Sequence, residues 1–130
     1  MIDDAFPTAA SAGYSMPAEW EPHERCWMAW PCRSDFWGDS FEAAQQTTAD
    51  VANAIAAFEP VTMLSTPASV PSARQLCGKN VTILAVPLDV SWTRDFGPNF
   101  VLNSNGELAA SIFHFNAWGQ KHEPWGKDAA

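Results

Sequence analysis

The chain has 130 residues, a formal net charge of −8, and a composition that is 47% hydrophobic and 17% charged, which suits one globular domain with a real core. Only seven Lys and Arg are present and they are scattered, so no basic stripe exists to neutralise phosphates, and the acidic balance argues against nucleic acid as a partner. No apolar run reaches the ~18 residues that a membrane span needs, so no membrane partner is expected.

The first stretch, MIDDAFPTAASAGYS (residues 1–15), has acids where an export signal needs positive charge. It reads as a flexible leader, with the folded part expected over residues 16–130. With no export signal, three cysteines at 26, 32 and 77 point to a reducing cytoplasm rather than a disulfide framework. CWMAWP (Cys26–Pro31) is too short for a helix and is closed by proline, so it reads as a buried strand. After the loop CRSDFWGDS, Asp39 or Ser40 is a plausible N-cap, with Glu42 in capping-box spacing from Asp39. Phe41, Ala44, Thr48, Val51, Ile55 and Phe58 recur at three- and four-residue intervals. That period predicts a helix over 41–58 with those side chains on its buried face, ended by Glu59-Pro60.

VTMLS (Val61–Ser65) predicts a second strand, Pro67–Cys77 a short helix stopped by Gly78, and VTILAV (Val81–Val86) a third strand. NFVLN (Asn99–Asn103) and ELAASIFHFN (Glu107–Asn116) flank Ser104-Asn105-Gly106, a strong hairpin signal. The order strand, helix, strand, short helix, strand, hairpin is an α/β pattern with mixed strand pairing. No element closes the sheet before GKDAA, so the piece is expected to belong to something longer.

The segment SWTRDFGPNF (Ser91–Phe100) follows a buried strand and concentrates Trp, Arg, Asp, Gly and Pro. Strand ends in α/β proteins are common places for ligand groups. Gly97-Pro98 sets a turn that holds Asp95 in a defined direction. A held carboxylate matches a planar guanidinium bidentately, and Trp92 is placed to cover the flat face of such a cation. The plainer alternative pairs Asp95 with an arginine of the chain, Arg94 or Arg33, and leaves Trp92 in the core.

The same segment resembles the WxRDxGPxF signature of agmatine deiminases and the bacterial-type peptidylarginine deiminases. MPAEWEPHERCWMAWP, FEPVTML and FHFNAWGQKHEPWGKDAA agree with that family in the same order, so the likeness runs from Met16 onward. It implies a partial pentein, the N-terminal part of a five-bladed α/β propeller, amounting to roughly one to two blades with mixed strands. It implies that Asp95 binds the substrate guanidinium, that Trp92 lines the pocket, and that Trp118 of NAWG is a further pocket candidate. The implied partner is a small cationic guanidino compound, agmatine or arginine-like. The implied chemistry is thiolate attack on the guanidinium carbon, loss of ammonia, and hydrolysis of the amidino-cysteine, giving N-carbamoylputrescine from agmatine in polyamine metabolism. No metal or organic cofactor is implied.

Two positions depart from the pattern: Val90 stands where an acid is more usual, and Gln120 where many members have a second glycine. The family's His-x-Asp and GGG…HC segments do not occur in the chain. The expectation is therefore an N-terminal fragment, inactive alone, of an agmatine deiminase-like hydrolase. A peptidylarginine deiminase-type enzyme and a free-standing aromatic-rich binding module are the alternatives.

Cys26 and Cys77 lie in or beside apolar segments where thiols are inert, and no activating base is evident near Cys32. His23, Cys26 and Cys32 form H-x₂-C-x₅-C, a poor zinc signature because Cys26 falls in a strand and no fourth ligand is evident. His114 alternates with Ile112 and Asn116 as a structural strand residue, and His122 sits in a polar, solvated tail.

Overall fold

The computed structural model describes residues 8–129. In chain order its elements are β1 (Tyr14–Ser15), β2 (Cys26–Ala29), α1 (Ser34–Trp37), α2 (Phe41–Ile55), β3 (Val61–Ser65), α3 (Val70–Leu76), β4 (Val81–Ala85), α4 (Thr93–Phe96), β5 (Asn99–Asn103) and β6 (Leu108–Ser111). They form two compact units. One takes the described residues up to Pro22 with Gly97–His114; the other takes His23–Phe96 and the chain from Phe115 on.

The larger unit is built on a parallel sheet of order β2-β3-β4, with Cys26 opposite Val61 and Val61 opposite Val81. Parallel neighbours need crossovers, and α2 and α3 supply them. β3 is central, and four of its five residues are buried, as expected for a strand covered on both faces. Trp30, Ala49, Ala52, Val61, Met63, Ala73 and Val81 make the core. The small Ala residues let α2 and α3 approach the sheet closely, while the fully buried Trp30 sends its indole N–H to Ser72 Oγ at 3.0 Å. Gln45, buried on α2, donates to the Pro31 carbonyl at 3.0 Å, so its burial is compensated.

The smaller unit is an antiparallel sheet of order β1-β5-β6. Its hairpin forms where Asn-Gly predicts it: Gly106 adopts φ +77°, and Asn103 Oδ1 accepts the N–H groups of Asn105 and Glu107 at 3.0 and 2.9 Å.

Three expectations change. Tyr14 and Ser15, assigned to the leader, pair with Asn103 and Leu102, because the β5–β6 hairpin alone would leave the backbone groups on the outer side of β5 unpaired; residues 1–7 lie outside the described residues. Helix α2 ends at Ile55 and buries Gln45, Ala49 and Ala52 most deeply; of the predicted stripe Phe41, Ala44, Thr48 and Ile55 are half-buried, Ile55 against the core, while Val51 is 46% and Phe58 92% exposed. Ala49 and Ala52 face the sheet because small side chains allow close approach there, while Ala44, Thr48 and Val51 line an open groove beside Met28 and Trp37. Finally, β6 stops at Ser111, so His114 lies beyond the strand and is exposed.

Candidate functional site

Past β4 the chain is pinned before it reaches Trp92. Val86 donates its N–H to the Ser65 carbonyl at 2.9 Å, and Leu88, Asp89 and Val90 are buried. Two carboxylates tie this stretch to the C-terminal segment. Asp128 accepts the N–H groups of Asp89 and Val90 at 2.8 and 3.0 Å, and Asp89 accepts the N–H of Lys127 at 3.0 Å while meeting its Nζ at 3.2 Å. Burial pushes the Asp128 carboxyl above its ordinary range, and the nearby Asp89 charge adds to this, against the two backbone donors.

From that fixed point α4 makes a single turn, with the Asp95 N–H on the Trp92 carbonyl at 3.0 Å. Thr93 Oγ1 donates to the Trp27 carbonyl at 3.3 Å, which anchors the turn to β2. Asp95 is exposed; its Oδ1 accepts the indole N–H of Trp118 at 2.9 Å, and Oδ2 has no protein partner among the described residues. Trp118 also meets the Trp92 ring edge-on at 5.5 Å between centroids, and Trp92 stacks on Trp37 at 5.6 Å with 23° between planes. Phe36 packs against Trp92 at 5.1 Å and against the His122 ring at 5.3 Å.

Trp118 reaches Asp95 because the backbone there is unusual. Ala117, Trp118, Gly119 and Gln120 all have positive φ, at 53°, 55°, 83° and 62°. A left-handed turn costs roughly 1–2 kcal/mol per non-glycine residue. Asn116 holds it: its Oδ1 accepts the Gly119 N–H at 2.9 Å and its carbonyl the Gln120 N–H at 2.7 Å. Phe115 and Ala117, buried with Val90, anchor the turn from below.

Asp95, Trp92 and Trp118 are thus neighbours, although Trp118 stands 23 residues from Asp95 in sequence. Arg33, offered as an internal partner for Asp95, is committed elsewhere: it forks onto Asp35 at 2.6 and 3.2 Å and donates to the carbonyls of Glu123 and Pro124. His122, expected to be a solvated loop residue, is exposed but lies edge-on to Trp118 at 5.8 Å, because the left-handed turn folds the tail back over the aromatic group. Phe36, Trp37, Asp89 and Asp128 were not singled out from sequence; the aromatic pair in CRSDFWGDS was the one available signal. None of the three thiols is poised as a thiolate. Burial raises Cys77; burial, with the charges of Asp128 and Asp89, raises Cys32; and Cys26, which donates to Glu59 Oε1 at 3.1 Å, is pushed up to about 11, first by burial.

An exposed carboxylate steadied by an indole N–H, with aromatic faces around it, is suited to a planar cation. Residues 15–130 match the family model described as Porphyromonas-type peptidyl-arginine deiminase. A provisionally named agmatine deiminase of Legionella pneumophila is 50% identical over 109 residues, 82% of this chain and 31% of that protein. The agmatine deiminase of Pseudomonas aeruginosa is 41% identical over 126 residues, 93% of this chain and 34% of that protein. The solved agmatine deiminase of Enterococcus faecalis superposes with a TM-score of 0.88 at 33% identity, over 96% of this chain and 35% of that one. The chain therefore spans about a third of the length of the relatives it matches.

Proposed function

The chain belongs to the Porphyromonas-type peptidyl-arginine deiminase family, and from that premise we propose that it carries the guanidinium-binding part of an agmatine deiminase-type hydrolase. The partial pentein fold, mixed α/β and similar to the solved agmatine deiminases, frames this reading. The observation that carries it is the Asp95–Trp118 pair beside Trp92. Asp95 takes the substrate guanidinium through its oxygens, Trp92 covers the flat face, and Trp118 fixes the carboxylate in plane.

In the proposed reaction a thiolate adds to the guanidinium carbon and ammonia leaves; water then releases the ureido product and restores the thiol. We propose that the nucleophile is none of Cys26, Cys32 and Cys77, since burial pushes each of these thiols away from the thiolate form. We propose accordingly that the 130-residue chain binds guanidino compounds without turning them over, and that cytoplasmic polyamine synthesis is the setting. Agmatine is favoured by the names of the more similar relatives; arginine within a peptide is the second reading, favoured by the description of the matching family.

Calorimetric titration with agmatine, an arginine peptide and putrescine, alongside an ammonia assay, tests this. Agmatine is expected to bind, putrescine at least tenfold more weakly, and Asp95→Asn to lose at least tenfold, since a charge-assisted pair contributes about 1.5–3 kcal/mol. Ammonia release abolished by replacing one of the three cysteines overturns the assignment, as does unchanged agmatine affinity in Asp95→Asn.

A further inference from the structure

A second cluster lies at the other end of β2, where the parallel strands begin. Parallel register sets Cys26 beside the start of β3, and the Cys26 N–H is fixed on the Pro60 carbonyl at 2.9 Å. Glu59, one residue earlier, has its N–H on the Ile55 carbonyl at 3.1 Å, so the end of α2 holds it. His23 approaches from the segment that enters β2. The three side chains converge: His23 Nε2 is 2.6 Å from Glu59 Oε2, Cys26 Sγ is 3.1 Å from Glu59 Oε1, and Sγ is 3.9 Å from Nε2. All three donor atoms lie within 4.8 Å of one another.

We propose that His23, Cys26 and Glu59 form a binding site for a divalent metal ion of the zinc class. One imidazole nitrogen, one sulfur and one carboxylate oxygen are the donors such an ion takes, and softer sulfur with borderline nitrogen disfavours magnesium and calcium. Bonds of about 2.0–2.3 Å in a tetrahedron put neighbouring donors roughly 3.3–3.6 Å apart. The observed separations of 2.6 and 3.1 Å run to the two different oxygens of Glu59, and that of 3.9 Å joins sulfur and nitrogen, so a rotation of the Glu59 carboxylate that turns one oxygen to the ion, with a slight opening of the His23 contact, admits it. On binding, the S–H bond breaks, its proton leaves to solvent, and the metal–sulfur bond forms. Thiolate and carboxylate then balance the dication, and a water completes the fourth position, since His23 and Glu59 both reach solvent. The sequence signal was half visible: His23 and Cys26 stand in H-x₂-C, but the third ligand is Glu59, supplied by strand pairing, and not Cys32. The proposal is independent of the guanidinium-binding reading.

Titration of the purified protein with cobalt(II) is expected to give a thiolate-to-cobalt charge-transfer band that saturates at one equivalent. His23→Ala, a change at an exposed side chain, should weaken binding at least tenfold, and Cys32→Ser should leave it unchanged. A second measurement needs no variant: with zinc present, alkylation of Cys26 should slow at least tenfold, read by peptide mass, while Cys32 and Cys77 change less than twofold. No cobalt band, a band unaffected by His23→Ala, or a Cys26 alkylation rate insensitive to zinc overturns the site.

Discussion

At Asp95 one carboxylate oxygen is engaged by the Trp118 indole and the other has no protein partner among the described residues, a division that suits a fork of guanidinium donors. Trp118→Phe keeps an aromatic ring near Trp92 and removes the hydrogen bond. It is expected to weaken agmatine binding about three- to tenfold in calorimetry, a hydrogen bond contributing about 0.5–1.5 kcal/mol; unchanged affinity contradicts the role given to the indole. The cysteines make a different statement. Cys32 and Cys77 both titrate above the ordinary thiol value of 9.0, chiefly through burial. Below that value both folded and unfolded chains keep the protons, and the stabilising contribution is complete. Above it the unfolded chain ionises first, so stability falls as pH rises toward the folded values. The urea midpoint should be lower at pH 10 than at pH 8, with a smaller drop in Cys32→Ala; an equal or rising midpoint contradicts the shifts. In sequence the Gly-Pro turn and neighbouring Trp drew attention to Asp95, and the WxRDxGPxF resemblance gave it its expected role, whereas nothing marked Asp128, since its partners are backbone groups 38 and 39 residues away.

Among the elements, the left-handed turn over Ala117–Gln120 does most to shape the candidate site. Gly119 has φ +83° with open space where a Cβ would stand, so Gly119→Ala meets backbone strain rather than a clash. It should destabilise by roughly 1–2 kcal/mol. Gln120→Gly should act in the opposite direction, by up to about 1 kcal/mol, because relief of strain at φ +62° outweighs the added freedom of the unfolded chain. Denaturant melts of both variants check the pair, and stabilisation by Gly119→Ala contradicts it. NAWG announces no left-handed run of four residues; Asn116 holds it through local hydrogen bonds, and Phe115 and Ala117 through packing with Val90. For α2 the period was readable but its phase was not. Large side chains suggested one face, whereas close approach of helix and sheet selected Ala49 and Ala52.

For the molecule as a whole, the order of elements along the chain and the hairpin position followed from short apolar runs and turn residues, and the α/β class with mixed pairing was readable. The division into two units was not, since the chain leaves the larger at Gly97 and returns at Phe115, a path no local pattern encodes. Within the larger unit the Asp128 tie joins the far segment to the strand end. Asp128→Ala should destabilise it by about 2–4 kcal/mol, leaving two buried N–H groups without their acceptor. Thermal unfolding measures the loss, and an unchanged transition contradicts the tie.

If Asp95 and Trp118 together receive a guanidinium, the Trp118 indole N–H, which Asp95 Oδ1 accepts, reports its arrival directly. In a ¹⁵N-resolved spectrum, agmatine should shift that resonance and putrescine should not, and in Asp95→Asn agmatine should no longer move it. An indole resonance unmoved by agmatine, or moved equally in Asp95→Asn, contradicts a guanidinium seat at this pair.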